Sequence, residues 1–230
     1  MGTFLAVSSV IGRTKSEVVN SLTSYAESVG GGLKLGDNSF PNKENGCIIQ
    51  EENGNTSIYF ADAYQEWNDC SEFISKELKA PVFYFQIHDG DFWMYVLFHN
   101  GQVVDRFNPV PDYWGDDLSE AELNNWKGDA AKVSSIIPDI TASDIDQYLV
   151  RWDLDEEKPA KAYPTDGFAR EDWQLMDFMT KLKLPYPVDD HGKLKGETYN
   201  IWTNQEKSTT QKYGNIEHEK ISQKPWWKFW

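Results

Sequence analysis

The chain has 230 residues, of which 40% are apolar, and this length and composition predict one folded protein with a sizeable buried core. Acidic residues number 37 against 22 basic ones, and the resulting charge of -15 argues against nucleic acid and anionic membranes as partners. Only two cysteines occur, Cys47 and Cys70, both in apolar segments, which favours a reducing, cytoplasmic environment over a disulfide scaffold.

The first two elements are a strand and a helix. β-branched and aromatic residues from Thr3 to Val10 predict the strand. Thr14 and Glu17 have the spacing of a capping box, in which each side chain accepts a hydrogen bond from the backbone N–H of the other residue. The glycines at positions 30 to 32 end the helical pattern, and we interpret them as its C-cap.

A hairpin and a second helix follow. Cys47 to Glu51 and Ser57 to Phe60 are predicted strands, and the Asn-Gly pair at positions 53 and 54 suits a tight turn between them. The second helix has Asp69 and Glu72 as its predicted cap pair.

Three further strands form a predicted meander: Pro81 to Ile87, Phe92 to Phe98 and Gln102 to Phe107. Asp-Gly at positions 89 and 90 and Asn-Gly at 100 and 101 are the hairpin signals between them. The middle strand is apolar throughout, which indicates cover on both faces. It is also the longest apolar run, and it is far shorter than the ~20 residues that a membrane-spanning helix needs.

Together these elements predict an α+β fold with a mainly antiparallel, six-stranded sheet. Its first six elements follow the βαββαβ order of a ferredoxin-like core, which a hairpin extends, and the expected strand order is 2-3-1-4-5-6. We expect a single domain over residues 1–190, with the sheet core in 1–107 and a helical cover in 108–190, and an extended tail in 191–230.

The predicted cover is acidic, with fourteen acidic and five basic residues between Asp105 and Lys158. Short helices are predicted at Ser119 to Trp126, Asp129 to Ile137 and Ser143 to Val150, and a longer one, capped by Asp166, at Phe168 to Leu184.

The tail ends in an aromatic segment. Its rings are Trp226, Trp227, Phe229 and Trp230, and Lys224 and Lys228 are interleaved with them. One interpretation docks these rings onto the acidic surface of the same chain, or of a second copy in a homodimer. The other anchors them at a membrane surface or a partner.

A meander returns every second strand to the same end of the sheet, so the turn before Phe92 and the segment after Phe107 should meet. This end supplies the candidate binding residues His88, Asp89, Asp91, Asn108, Asp112, Tyr113 and Trp114. Carboxylates suit hard cations, and a histidine among them suits acid–base chemistry. Asn and Asp also simply make turns through side-chain-to-backbone hydrogen bonds, so a structural interpretation stays open.

Asp105 and Arg106 lie next to this end of the sheet in the sequence. We expect Arg106 to neutralise the carboxylates, and Asp105, if it faces the covered side, to need a hydrogen-bonding partner there. His88 and His99 bracket a strand and lie too far apart to share a metal ion.

No catalytic signature is complete, so we predict no catalytic residue, metal site or cofactor. We predict that both cysteines are core residues. The sequence contains neither the motif of a nucleophile elbow nor that of a phosphate-binding loop. Five tryptophans stand in polar contexts, as interface anchors or as seals between helices and sheet. They are Trp67, Trp114, Trp126, Trp152 and Trp202.

The segments Asp91 to Phe98 and Gly101 to Trp114 resemble a group of uncharacterised bacterial proteins. The resemblance implies a bacterial cytosolic protein and no known reaction. We predict a non-enzymatic protein-binding module, immunity-like or regulatory, whose acidic and aromatic surface binds a basic partner. The alternative is a hydrolase or a small-ligand or metal-binding protein that uses the end formed by His88 to Asp91 and Asn108 to Trp114.

Overall fold

The computed structural model describes residues 3–36, 46–61, 67–113, 115, 118–153, 173–186, 188 and 195–203. Its strands are β1 (Leu5–Val10), β2 (Gly32–Leu35), β3 (Gly46–Glu52), β4 (Asn55–Phe60), β5 (Pro81–His88), β6 (Phe92–His99), β7 (Gln102–Phe107) and β8 (Glu197–Trp202). Its helices are α1 (Lys15–Ser28), α2 (Asn68–Leu78), α3 (Glu120–Asn124), α4 (Ala130–Ile136), α5 (Ala142–Ile145) and α6 (Gln174–Lys181), with a 3₁₀ turn at Asp146–Tyr148.

All eight strands form one antiparallel sheet in the order β2-β8-β3-β4-β1-β5-β6-β7. The prediction of a six-stranded sheet is therefore wrong, because β2 and β8 add two strands beside β3. The six strands that the sequence predicts do lie next to one another in the expected order. The C-terminal half is not only helical, since β8 lies within the segment 191–230 that we predicted as an extended tail.

Glycines allow β8 to lie close to β2. Gly30 and Gly31 form the expected C-cap of α1, with their N–H groups donating to the carbonyls of Glu27 and Ala26 at 2.9 and 2.7 Å. A Cβ atom on Gly31 would lie only 1.7 Å from the backbone oxygen of Trp202. The glycine run therefore ends the helix and also makes room for a strand from the other end of the chain, a role that the C-cap interpretation missed.

The sheet is covered on both faces. Helices α1 and α2 bury one face, and the layer from α4 to α6 buries the other. Along β6, Trp93 and Tyr95 belong to the core under α4 to α6, whereas Val96 and Phe98 belong to the core under α1 and α2. This arrangement confirms the cover on both faces that the fully apolar strand indicated.

Local turn and cap signals agree with the structure at most positions. Both central residues of each predicted tight turn have positive φ; the non-glycine ones are Asn53, Asp89 and Asn100, at 53°, 51° and 53°. The capping box of Thr14 and Glu17 is present at α1.

The predicted cap of α2 is wrong. The helix begins at Asn68, so Asp69 lies inside its first turn, and Trp67 occupies the N-cap without a side-chain cap bond. In the first turn, the negative charge of Asp69 stabilises α2 by interacting with the positive end of the helix dipole, and the residue does not act as a cap.

Some predictions fall on residues outside the described ranges. These are Trp114, the helix start at Asp166 and Phe168, and the aromatic tail at 224–230. Among the helices of the described ranges, none combines the length and the apolar character that crossing a membrane requires.

Candidate functional site

The β5–β6 turn and the segment after β7 meet at one end of the sheet. The Tyr113 hydroxyl donates a hydrogen bond to the carboxylate of Asp91. The ring of His88 lies edge-on to that of Tyr113, with 5.7 Å between centroids, and Phe92 lies 5.0 Å from the same ring. The structure thus brings together His88, Asp91 and Tyr113, as the predicted meander requires.

The tight turn holds two carboxylates outward. The N–H of Asp91 donates to the carbonyl of His88 at 2.9 Å, and the N–H of Gly90 donates to the carbonyl of Thr3 at 2.8 Å. These bonds, with the positive φ of Asp89, fix the turn and leave the side chains of Asp89 and Asp91 exposed.

Asn108 has the structural role that the sequence left open. Its side chain is buried, and its Oδ1 accepts a hydrogen bond from the N–H of Val110 at 2.8 Å. This bond closes the turn after β7, so Asn108 positions the segment that follows.

Asp112 is neutralised by Arg151 and not by Arg106, so that expectation is wrong. Nη2 of Arg151 lies 2.7 Å from Oδ2 of Asp112. Arg106 is directed to the opposite face of the sheet from Asp105, and its guanidinium carbon lies 5.4 Å from the centre of the Trp126 ring. Sequence reasoning missed Arg151 because its position depends on a chain return, in which the N–H of Trp152 donates to the carbonyl of Pro109 at 2.9 Å.

We call the cluster of His88, Asp89, Asp91, Asp112 and Tyr113 the acidic end; Asp89 and Asp91 are exposed, and the other three residues are partly buried. Burial lowers the pKa of His88, although Asp89 and Asp91 oppose that shift. The hydrogen bond to Asp91 raises the pKa of Tyr113 to about 12, so its hydroxyl keeps its proton at neutral pH. The acidic end therefore presents carboxylates beside a protonated phenol and an aromatic surface.

Metal binding finds no geometric support in the described part of the chain, where no group of three His, Cys, Asp or Glu side chains is arranged to hold an ion. His88 and His99 lie at opposite ends of the β5–β6 pair, as expected. The thiols of Cys47 and Cys70 are fully buried, and burial raises the pKa of both, which fits the core role predicted for them.

The tryptophans in polar contexts serve mainly as seals. Trp67, Trp126 and Trp152 are buried, whereas Trp202 on β8 is 40% exposed. Most of these rings therefore fill joints between elements, and the aromatic surface of the acidic end comes from Tyr113 and His88 instead.

Comparisons of the chain with models of protein families, with curated proteins and with solved structures give no match. Its function is therefore inferred from its own side chains and their geometry.

Proposed function

We propose that this protein is a non-enzymatic binding module that engages a basic protein through the acidic end. The observation that carries the proposal is that the exposed turn of Asp89 and Asp91 meets the partly buried Asp112 and Tyr113 at one end of the sheet. Tyrosine is enriched at the centres of protein interfaces, and charged residues form their rims. The carboxylates around Tyr113 would therefore select partners of opposite charge.

The wider charge distribution supports a basic partner. The acidic excess is concentrated between Asp105 and Lys158, and in the helical layer Glu120, Asp144 and Asp146 are exposed. A long-range negative field of this kind accelerates the encounter with a cationic protein and weakens as salt is added.

The proposal also covers the cellular location of the protein and the kind of binding protein it is. We place the protein in the bacterial cytoplasm, where two buried free cysteines stay reduced, and regard it as an immunity-like or regulatory partner. A homodimer through the C-terminal aromatic tail remains part of this proposal and concerns residues outside the described ranges.

The test is a capture experiment with a neutralised acidic end. In a triple variant, Asp89→Asn, Asp91→Asn and Asp112→Asn, asparagine tolerates the positive φ at position 89 and still accepts the Tyr113 hydroxyl at position 91. The Asp112 pair with Arg151 is exposed, and its loss costs at most ~1 kcal/mol. We expect the wild type to retain a basic protein at low salt and the triple variant to lose it.

The matched control removes three carboxylates elsewhere, by Glu27→Gln, Glu52→Gln and Glu77→Gln at exposed positions. It carries the same net charge as the test variant, so a specific site predicts that it still captures the partner. If both triple variants lose the partner equally, the interaction reflects net charge alone and the acidic end is not the site.

A second candidate uses the same end as a hydrolase or small-ligand site. The Tyr113–Asp91 hydrogen bond beside His88 favours it, because these groups can donate and accept protons. A saturable thermal stabilisation by a metabolite or divalent cation that is lost in Asp91→Asn would favour this candidate over the protein-binding one.

A further inference from the structure

A polar groove lies along the outer edge of β7, away from the acidic end. After the turn that follows β7, the chain returns along this edge of the sheet. Lys127 forms an antiparallel β-bridge with Phe107, and the N–H of Gly128 donates to the carbonyl of Arg106 at 3.0 Å. Next to this pairing the edge of β7 and the α3–α4 segment line an open groove with a volume of about 370 Å³. We call it the β7 groove; its polar lining includes Arg106, Asn124, Asn125, Lys127, Asp129 and Lys132.

Three cationic and two acidic residues line the groove in a protein whose net charge is -15, and Nζ of Lys132 lies 4.0 Å from Oδ2 of Asp129. Its two acidic residues are already engaged by donors. Asp105 accepts from the Tyr95 hydroxyl at 2.7 Å and from the N–H of Asp129 at 3.0 Å, both at Oδ2. Asp129 caps α4 by accepting from the N–H groups of Ala131 and Lys132.

Arg106 is the distinctive residue of the groove. It is half-buried, and its guanidinium carbon lies over the Trp126 ring at cation–π distance. Within the described residues no carboxylate lies at ion-pair distance from this guanidinium, and it donates no hydrogen bond. A half-buried guanidinium that has an aromatic contact but no acceptor within the described residues can pair with the oxygens of a ligand.

We propose that the β7 groove binds a small organic oxyanion, a carboxylate or a phosphate ester, through Arg106. The planar guanidinium fork can pair with two oxygens of either group at once. Lys127 and Lys132 flank the site, and the side-chain amides of Asn124 and Asn125 offer donors and acceptors for the rest of the ligand. The volume lies in the range of pockets that hold small metabolites, about 300–1,000 Å³.

The test is a titration of the full chain with defined oxyanions at constant ionic strength. We would follow backbone amide signals by NMR while adding inorganic phosphate, 3-phosphoglycerate or citrate, with chloride as the reference anion. We expect at least one probe to shift the signals of Gly128 and Asp129 saturably. A saturable response to inorganic phosphate but not to citrate would identify a phosphate site, and a response to citrate but not to inorganic phosphate would identify a carboxylate site.

Variants decide whether Arg106 is the anchor. Arg106→Gln and Lys127→Gln should each weaken the best probe by about tenfold or more, because each removes a charge-assisted hydrogen bond. Lys127 is exposed, so Lys127→Gln tests the groove even if Arg106→Gln disturbs packing on Trp126. Lys34→Gln, at an exposed position on β2, is the charge-matched control and should leave the affinity unchanged. The proposal is overturned if no probe binds saturably, or if Lys127→Gln binds as tightly as Lys34→Gln.

Discussion

Asp105 is a buried carboxylate with a structural role. It is 7% exposed, and the Tyr95 hydroxyl and the N–H of Asp129 converge on its Oδ2, which confirms the expectation that it needs a partner on the covered side. Asp105→Ala should lower the free energy of unfolding by about 1–3 kcal/mol, because it leaves a buried hydroxyl without its acceptor. Asp105→Asn keeps an acceptor oxygen and should cost less. Urea denaturation of the three proteins measures the difference, and equal stability of all three would contradict this role.

The buried carboxylate of Asp105 should also make the stability of the protein depend on pH. Burial raises the pKa of Asp105, against the hydrogen bonds from Tyr95 and Asp129, so the folded state binds the proton more tightly than the unfolded state. Its contribution to stability is therefore present at low pH and is lost as the pH rises through the folded pKa. The wild type should therefore lose stability relative to Asp105→Asn as the pH rises above about 4, where an aspartate in the unfolded chain ionises. A constant difference as the pH rises would show that the carboxylate titrates alike in both states.

His88 predicts the opposite pH dependence. Burial lowers its pKa, so the unfolded state binds a proton more readily, and the stability present at neutral pH is lost as the pH falls. His88→Phe keeps a ring against Phe4 and Tyr113 but cannot titrate. From about pH 7.5 to about pH 5.5 the wild type should lose more unfolding free energy than His88→Phe. Parallel losses in chemical denaturation would show that His88 titrates alike in both states.

At the scale of elements, the contact between β2 and β8 depends on a missing side chain. Gly31→Ala would place a Cβ 1.7 Å from the Trp202 oxygen, and since the clash is with backbone, no rotamer change relieves it. We expect a loss of about 1–3 kcal/mol, typical of overpacking, and faster hydrogen exchange at the β2 amides.

Gly12→Ala is the comparison for that variant. A Cβ there meets no atom within 4 Å, and the residue has a φ of +66°, so the substitution carries only the cost of a positive φ, about 1–2 kcal/mol. Hydrogen exchange at β2 should be unchanged in this control. Fast exchange at β2 in both variants would mean that the backbone contact with Trp202 is not what holds the strand.

At the scale of the whole molecule, Phe178 joins the helical layer to the sheet. It is fully buried on α6 and contacts five aromatic rings, those of Phe83, Phe85, Trp93, Tyr95 and Tyr148. Phe178→Ala should lower the free energy of unfolding by about 3–5 kcal/mol, through lost burial and the cavity it leaves. Trp173→Ala, which removes a 39% exposed ring near the same helix, should cost much less. Urea denaturation of both variants measures this contrast, and comparable losses would show that the layer is not held by Phe178.

Acidic and basic side chains are concentrated at different places on the molecule. The acidic end lies where the β5–β6 turn meets the segment after β7, and the β7 groove gathers three cations along the edge of the same sheet. A net charge of -15 therefore coexists with a local cationic site. The overall charge governs long-range attraction, whereas the local side chains govern which ligand is bound.

Signals that depend on near neighbours in the chain were sufficient for much of the fold. The Asn-Gly turns at Asn53 and Asn100, the capping box at Thr14 and the fully apolar β6 each act within a few residues, and each is confirmed. The convergence of His88 with Tyr113 followed from the same signals, because hairpins alone dictate where a meander returns.

Only the tertiary structure decided the features that depend on distant parts of the chain. Tyr199 and Ile201 alternate as inward residues of a strand, but their place between β2 and β3 is set by partners near the opposite end of the sequence. Arg151 beside Asp112 and Lys127 beside Arg106 likewise meet through chain returns that leave no mark in local spacing. The sequence by itself thus determined the tight turns, the cap of α1 and the order of six strands, since those depend on local backbone preferences. The two added strands, the Arg151 pair with Asp112 and the β7 groove required packing between segments far apart in the chain, which no local preference specifies.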